Sequence, residues 1–420
     1  MIKKLILFTF ILTTAFSFAQ RTSSSPYSFF GIGDQAKLKS VEEIAMGQFG
    51  GALNSEYHLS LTNPASYASL KYTTYVFSGA NKATTIDDGN DSQTSSAASL
   101  SYIALGIPIK QNQGLAFGLQ LNTAVGYSLL DQKFDDDALV ETNQLTGDGG
   151  TNRVFLGYGY QFPFKLNVGV EAAYNFGGIE NSVLNRRLGV QLATESRTDS
   201  YVKGFSYKIG AQYERSLKNN LNLKIGVSAT MGNSLNEKGD IYLISLLNSE
   251  GGGNITKIDT INNYKAKIKA PIQPTLSIGI GEDNKWLIGA EYTFQDAVDF
   301  EGGIYDDITN YYYSSSNVIS LGGFYLPKYN SIASYFDRVT YRAGFNYKKL
   351  GLVINETEIE EYGISFGVSL PLGLRLSNAN LGFEIGKRGT TDNNLVKENF
   401  FNFRLSLSLN DKWFKPRPIY

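Results

Sequence analysis

Residues 363–367 read Gly-Ile-Ser-Phe-Gly, and G-x-S-x-G is the spacing that presents a nucleophilic serine on a sharp strand-to-helix turn. Ser365 lacks that context, because Ile364 and Phe366 continue a regular alternation and no helical stretch follows. Its general base would have to be His58, the chain's single histidine, which lies far upstream in a segment of different character. One histidine without any cysteine cannot build a zinc site either. Asp135, Asp136 and Asp137 offer the hard oxygens that calcium takes, and equally suit a solvated loop. "GGGN" at 251–254 lacks the Lys-Ser/Thr that completes a phosphate loop. The chain reads as a non-enzyme, with no catalytic, cofactor-binding or metal residues.

Function must then come from the elements themselves. "LNLKIGVSATM" at 221–231 puts Leu221, Leu223, Ile225, Val227, Ala229 and Met231 on one face of a strand and Lys224 and Ser228 on the other. Whether the apolar face meets protein or lipid depends on the rest of the chain. The first twenty residues combine Lys3 and Lys4 with an apolar run from Leu5 to about Phe16 and small residues ahead of Gln20, the pattern of a secretory signal cleaved near Ala19. With no cysteine the exported chain has neither disulfides nor a lipidated N-terminal Cys. A net charge of -1 gives nucleic acid no basic footprint. Gly (43), Tyr (27) and Phe (26) dominate over Pro (10), which favours strands over helices.

Alternation marks segments near 72–82, 95–109, 115–130, 151–162, 165–178, 201–215, 221–233, 271–281, 286–297, 316–326, 338–348, 361–371, 379–387 and 399–409. Their number is even, and their connections alternate in length. "KQNQG", "FPF", "LKNN" and "GEDNK" are tight, whereas 131–150 and 234–270 are long and polar. An outer-membrane barrel sorts its loops in this way, with turns at the periplasmic rim and loops outside. The faces agree: Leu166, Val168, Val170, Ala172, Tyr174 and Phe176 oppose Asn167, Gly169, Glu171, Ala173 and Asn175. Val339, Tyr341, Ala343, Phe345 and Tyr347 oppose Arg338, Thr340, Arg342 and Lys348. Such a barrel turns its apolar face to lipid and gathers aromatics at the interfaces, where Tyr160, Phe162, Tyr174, Phe176, Tyr213, Tyr292 and Phe294 fit. The fold class expected is an all-β transmembrane antiparallel barrel of about 14 strands.

Residues 21–70 do not alternate and are too many for a lead-in strand; "SVEEIAMGQF" suggests a short helix. This segment, with Asn63-Pro64-Ala65 just ahead of the first strand, resembles the N-terminal hatch of the FadL/TodX (OmpP1) family of outer-membrane transporters for hydrophobic compounds. "SPYSFFGIGD", "DRVTYRAGFNY" at 337–347 and "ENFFNFRLSLSLNDKWF" at 398–414 are similar to that family's Bacteroidota branch. The resemblance implies a fourteen-stranded barrel whose lumen is plugged by the hatch. It divides the chain into a signal peptide (1–20), a hatch (21–70), a barrel (71–410) and a periplasmic tail (411–420). Asn63-Pro64-Ala65 is then a gate or an Asx-closed turn, since Pro64 holds Asn63 out of the helical region.

Inward positions carry Arg153, Glu171, Lys208, Glu214, Lys224, Glu291, Arg338, Arg342, Glu384 and Arg404, either a salt-bridged socket for the hatch or a polar conduit. An apolar ligand pocket would need Phe29, Phe30, Ile32, Met46 and Phe49, with Phe155 from the wall; the same side chains would serve as the core of a plug. Two functions follow. One is passive uptake of hydrophobic or amphipathic small molecules across the outer membrane of a Gram-negative bacterium. The other is a plugged barrel docked on a larger outer-membrane complex for protein export or barrel assembly. Membrane lipid, a hydrophobic ligand and a protein complex are the expected partners; no cofactor and no nucleic acid are expected.

Overall fold

All fourteen alternating segments are strands in the computed structural model, which describes residues 23–136, 138–247, 254–305, 311–373 and 377–412. In chain order the strands are β1 (Asp34–Gln35), β2 (Thr73–Asp87), β3 (Ser92–Lys110), β4 (Gln113–Asp135), β5 (Ala138–Phe162), β6 (Leu166–Arg187), β7 (Leu192–Ser216), β8 (Leu221–Thr230), β9 (Asn233–Leu247), β10 (Asn254–Ala270), β11 (Gln273–Glu282), β12 (Trp286–Gln295), β13 (Asp299–Glu301), β14 (Tyr311–Tyr313), β15 (Ser316–Tyr325), β16 (Thr340–Ile354), β17 (Thr357–Pro371), β18 (Asn378–Arg388) and β19 (Lys397–Asp411). A closed antiparallel barrel of 14 strands is formed by β2–β8, β11, β12 and β15–β19. Closure comes from β19 against β2, paired from Lys397↔Asp87 to Asp411↔Thr73, and it leaves no strand edge to lipid at that seam. The short connections are tight turns; Asn219 and Asn220, both at φ 60, supply the left-handed pair between β7 and β8.

The stretches 131–150 and 234–270, expected as loops, are largely strand. β4 and β5 continue their pairing out to Asp135↔Ala138, and β9 and β10 fill most of the longer stretch. β8 and β11 are each ten residues long, the length that crosses a bilayer. β9 and β10 lie beyond them, after the interruptions at Met231-Gly232 and Pro271-Ile272. No lipid requires an apolar face on this extension, so its strands lack the hydrophobic alternation that betrays the others. Residues 1–20, "GGG" at 251–253 and most of the tail lie outside the described residues.

Val227 is 48 % exposed on the outer face, while Ser228 is buried on the inner one. Val227→Arg is expected to hinder refolding into bilayers by about 2–4 kcal/mol, measured by urea titration in vesicles, because it carries a charge to the mid-depth of the lipid face. Ser228→Arg meets a full lumen: a Cβ on its neighbour Gly226 would stand 2.1 Å from the Gly51 carbonyl oxygen. Phe162, Tyr213, Tyr292 and Phe294 are exposed, and Tyr174 stacks on Phe176 with ring centroids 6.0 Å apart. Val339 and Arg338 depart from the expected strand. Both precede β16 at a 3-10 turn (Phe336–Arg338), with Val339 buried and the Arg338 guanidinium 5.5 Å from the Tyr335 ring centre.

Candidate functional site in the barrel lumen

Residues 23–72 pack against inward-facing side chains around the barrel. The helix expected in "SVEEIAMGQF" is a single turn, α1 (Val41–Ile44), N-capped by Ser40 in a capping box with Glu43. Gly47 and Gln48, at φ 64 and 72, end it. Gly47 has no substitute, since a Cβ there would lie 2.5 Å from the Phe345 backbone.

Asn63 is fully buried and closes the expected Asx turn, its side chain accepting from Ala65 N at 3.0 Å at the start of the 3-10 turn Pro64–Ser69. Its Nδ2 also donates to the carbonyls of Gly51 (3.0 Å), Ala211 (3.2 Å) and Val227 (3.2 Å), so one side chain joins two parts of the segment to β7 and β8. Gly169 on β6 makes room for this approach, for a Cβ there would stand 2.3 Å from the Pro64 carbonyl carbon.

Ion pairs fix the segment to the wall. Lys37 Nζ lies 2.6 Å from Glu384 and 3.4 Å from Glu361, and Glu384 also accepts from Arg404 and Asn402 at 3.0 Å each. Lys39 pairs with Glu291, whose other oxygen accepts from Gly50 N (3.0 Å), Gly51 N (2.7 Å) and Ser277 Oγ (2.7 Å). Arg388 grips Asp34 at 2.9 and 3.0 Å and Glu361 at 2.6 Å. Tyr67 donates to Glu171 at 2.7 Å, and Glu171 pairs with Arg153. Asn54 bridges Glu214 (3.1 Å) and Lys224 (2.8 Å), and Lys208 reaches the Leu61 carbonyl at 3.5 Å. Arg342 donates to Ser369. Nine of the ten sequence-expected charges thus lie in the lumen; Arg338 sits at the rim turn. Missing from the sequence reading were Asp34, Lys37, Lys39, Glu361, Arg388 and Glu398. Glu361 was within reach, since it shares the strand face of Ser365, whereas the cations of the N-terminal segment follow no period.

The aromatic candidates divide. Phe49 and Met46 are fully buried with Ala52, Leu53 and Leu287, and Phe155 is buried beside Tyr67. Phe29 and Phe30 pack edge to face at 5.2 Å, with Phe29 5.3 Å from Tyr127 and Phe30 4.7 Å from Tyr311. Ile32 lies against an apolar cluster of Val125, Tyr127, Ile179, Val202, Leu235 and Ile268.

The wall is not continuous. β3 and β4 pair only from Tyr102↔Gln120 to Lys110↔Gln113; farther out β3 pairs with β2, while Ala124 and Thr123 of β4 take Asp34 and Gln35 of β1. A register shift between Leu121 and Thr123 interrupts β4 at this point. The gap holds a cavity of about 420 Å³ lined by Leu100, Tyr102, Leu119, Leu121 and Phe176 among others. Ser99, Ser101, Tyr102 and Leu121 also line a smaller chamber inside, about 130 Å³, which Lys37, Lys82, Glu361, Arg388 and Arg404 surround. What lies behind the gap is charged.

At the end of the barrel that carries the tight turns a chamber of about 400 Å³ reaches His58, whose Nδ1 is 3.1 Å from Glu42 and whose Nε2 is 3.3 Å from Ser40 Oγ. Burial alone would lower the His58 pKa, but the Glu42 carboxylate outweighs it and raises it; burial would raise Glu42, which His58 and Arg342 instead hold at about 2. The pair therefore stabilises below the ordinary histidine pKa and fades as pH rises through the raised one; on the acid side it is lost only toward pH 2. Proteolytic protection of residues 54–60 is expected to fall on going from pH 6 to 9, and His58→Gln to abolish that dependence.

A family model named BamG matches residues 1–419. The chain belongs to the BamG family. This BamG-family barrel shares its fold with solved FadL-type structures. The toluene transporter TodX of Pseudomonas putida is 16 % identical, with TM-score 0.57 over 91 % of this chain and 100 % of that one. TbuX of Ralstonia pickettii, also a toluene transporter, is 14 % identical with TM-score 0.56 over 91 % and 99 %. A FadL homologue of Pseudomonas aeruginosa is 10 % identical with TM-score 0.57 over 90 % and 98 %. No curated protein matches the chain. An outer-membrane-type barrel of FadL fold is the common ground.

Proposed function

We propose that this BamG-family barrel is a plugged accessory subunit docked on a larger outer-membrane complex for protein export or barrel assembly. The observation that carries the reading is the anchoring of residues 23–70: part-buried Asp34, Lys37 and Lys39 form ion pairs with buried partners on three different strands, β12, β17 and β18, and the Phe49 ring is wholly buried. A gate that opens would have to break several of these contacts together, each costly to leave unpaired. On this reading residues 1–20 direct export, residues 21–70 are a fixed plug with Asn63-Pro64-Ala65 as its clasp, and residues 411–420 are a periplasmic tail. The chain falls in the Bacteroidota-type branch. The match to a family other than the transporters supports the same reading.

The gap between β3 and β4 favours a second reading, sideways passage of a hydrophobic or amphipathic molecule; TodX and TbuX, which share the fold, are toluene transporters. Its charged inner chamber suits an apolar ligand poorly. Purification from membranes in mild detergent is expected to bring down a stoichiometric outer-membrane partner. A protein recovered alone, together with lower uptake of a labelled fatty acid or aromatic hydrocarbon in cells lacking it, would establish the transporter instead.

A further inference from the structure

Among the described residues, the outer half of β10 is an open sheet edge. Ile255–Asn263 face β9 alone among the described residues, with bulges at Thr256 and Ile261, and β13 takes the other side of β10 only at Lys267–Lys269. Ile255, Ile258 and Ile261 are 60, 53 and 58 % exposed on it. A long isoleucine-bearing edge is a template for another strand, and proteins that remain single guard such edges. Here the guard is self-complementary. Residues 254–262 read N-I-T-K-I-D-T-I-N, which is symmetric about Ile258 except that Lys257 on one side answers Asp259 on the other.

We infer that the outer edge of β10 pairs antiparallel with the same edge of a second copy of this chain standing in an apposed membrane. Within the regular run Lys257–Thr260, between two bulges, antiparallel pairing centred on Ile258 sets Lys257 opposite Asp259, twice over by symmetry. Lys257 and Asp259 already share a face, their side chains being 2.7 Å apart, so in the pair the four charges form one ladder while Ile258 meets its copy on the other face. An edge that only guarded itself would not need the Asp. The membrane arrangement follows from direction. Barrel strands rise at about 35–45° to the bilayer normal, so an antiparallel partner points the other way and its barrel is inverted. Ile258 stands fifteen residues beyond Gln273, roughly 40 Å above the lipid by strand rise and tilt, clear of its own membrane. The inference does not depend on whether the barrel is a docking subunit or a transporter.

The chain has no cysteine, so Ile258→Cys gives a cross-linking probe without background. In mild detergent the oxidised full-length I258C protein is expected to migrate as a covalent dimer. A mixture of K257C and D259C should cross-link where either alone does not, which reads the register. Lys257→Asp should weaken dimerisation roughly tenfold, and the charge swap K257D/D259K should restore it. Vesicles carrying the wild-type barrel should cluster with one another and K257D vesicles should not, heat-modifiable gel mobility showing that each variant is folded. A monomer at every concentration with no I258C dimer overturns the proposal. So does I258C linking to a different protein in native membranes, and a detergent dimer whose vesicles stay dispersed overturns the apposed-membrane arrangement.

Discussion

Arg388→Met is expected to lower the stability of the folded barrel by about 3–5 kcal/mol, the cost of removing one partner from a buried charge network. Arg388 leaves β18 between two wall carboxylates and one from the N-terminal segment: Glu361 at 2.6 Å, Glu398 at 3.9 Å, and Asp34 at 2.9 Å. Its Nη1 reaches both Asp34 oxygens while Nε and Nη2 hold Glu361, a two-sided grip that the single ammonium of a lysine cannot copy. Without it three acids face one another, with Lys37, Lys348 and Lys82 as the remaining cations beside them. Arg388→Lys should recover only part of the loss, and adding Asp34→Asn to R388M should recover more, because it removes one of the stranded charges. Urea unfolding of protein refolded into vesicles reads the difference. Proteolysis ahead of Ser40 should begin before the barrel opens. A loss under 1 kcal/mol would mean that the segment is not held by this network.

The barrel was legible in the sequence because lipid enforces alternation. Strands such as 165–178 and 338–348 must place every second side chain in hydrocarbon, and that demand leaves a period of two that survives any choice of inward residue. Where lipid ends, the signal ends. β9 and β10 pair fifteen residues with each other through sequence such as Asn233–Asp240, whose outer face needs only water, so their composition reads as loop. The lumen was half legible for a related reason. Wall charges such as Arg153 and Glu171 declare their direction through their apolar neighbours. Asp34, Lys37 and Lys39 sit in irregular chain with no neighbour to fix a face, so only the fold reveals that they meet Arg388, Glu384 and Glu291. Asn63 was readable as a turn and no further; its three carbonyl partners come from chain segments far apart in sequence.

Phe49→Ala is expected to cost about 3–5 kcal/mol, and the size of that loss bears on function. The ring is wholly buried against Met46, Ala52, Leu53 and Leu287. The wall opposite is made of Gly279 and Gly289, where a Cβ would come within 3.2 and 2.4 Å of the ring, so the side chain fills a seat cut for it. A residue lining a transport pocket behaves differently. Its exposed face already borders empty or ligand-filled space, so truncation changes permeation and leaves stability almost untouched. A residue in a permanent plug shows the reverse, a large loss of stability with no change in uptake of a labelled hydrocarbon. The cavity left by F49A should also stay dry and take up benzene, raising the variant's urea midpoint while leaving the wild type where it was. Small destabilisation together with altered uptake would place Phe49 on a ligand path and turn the reading of this barrel back to transport.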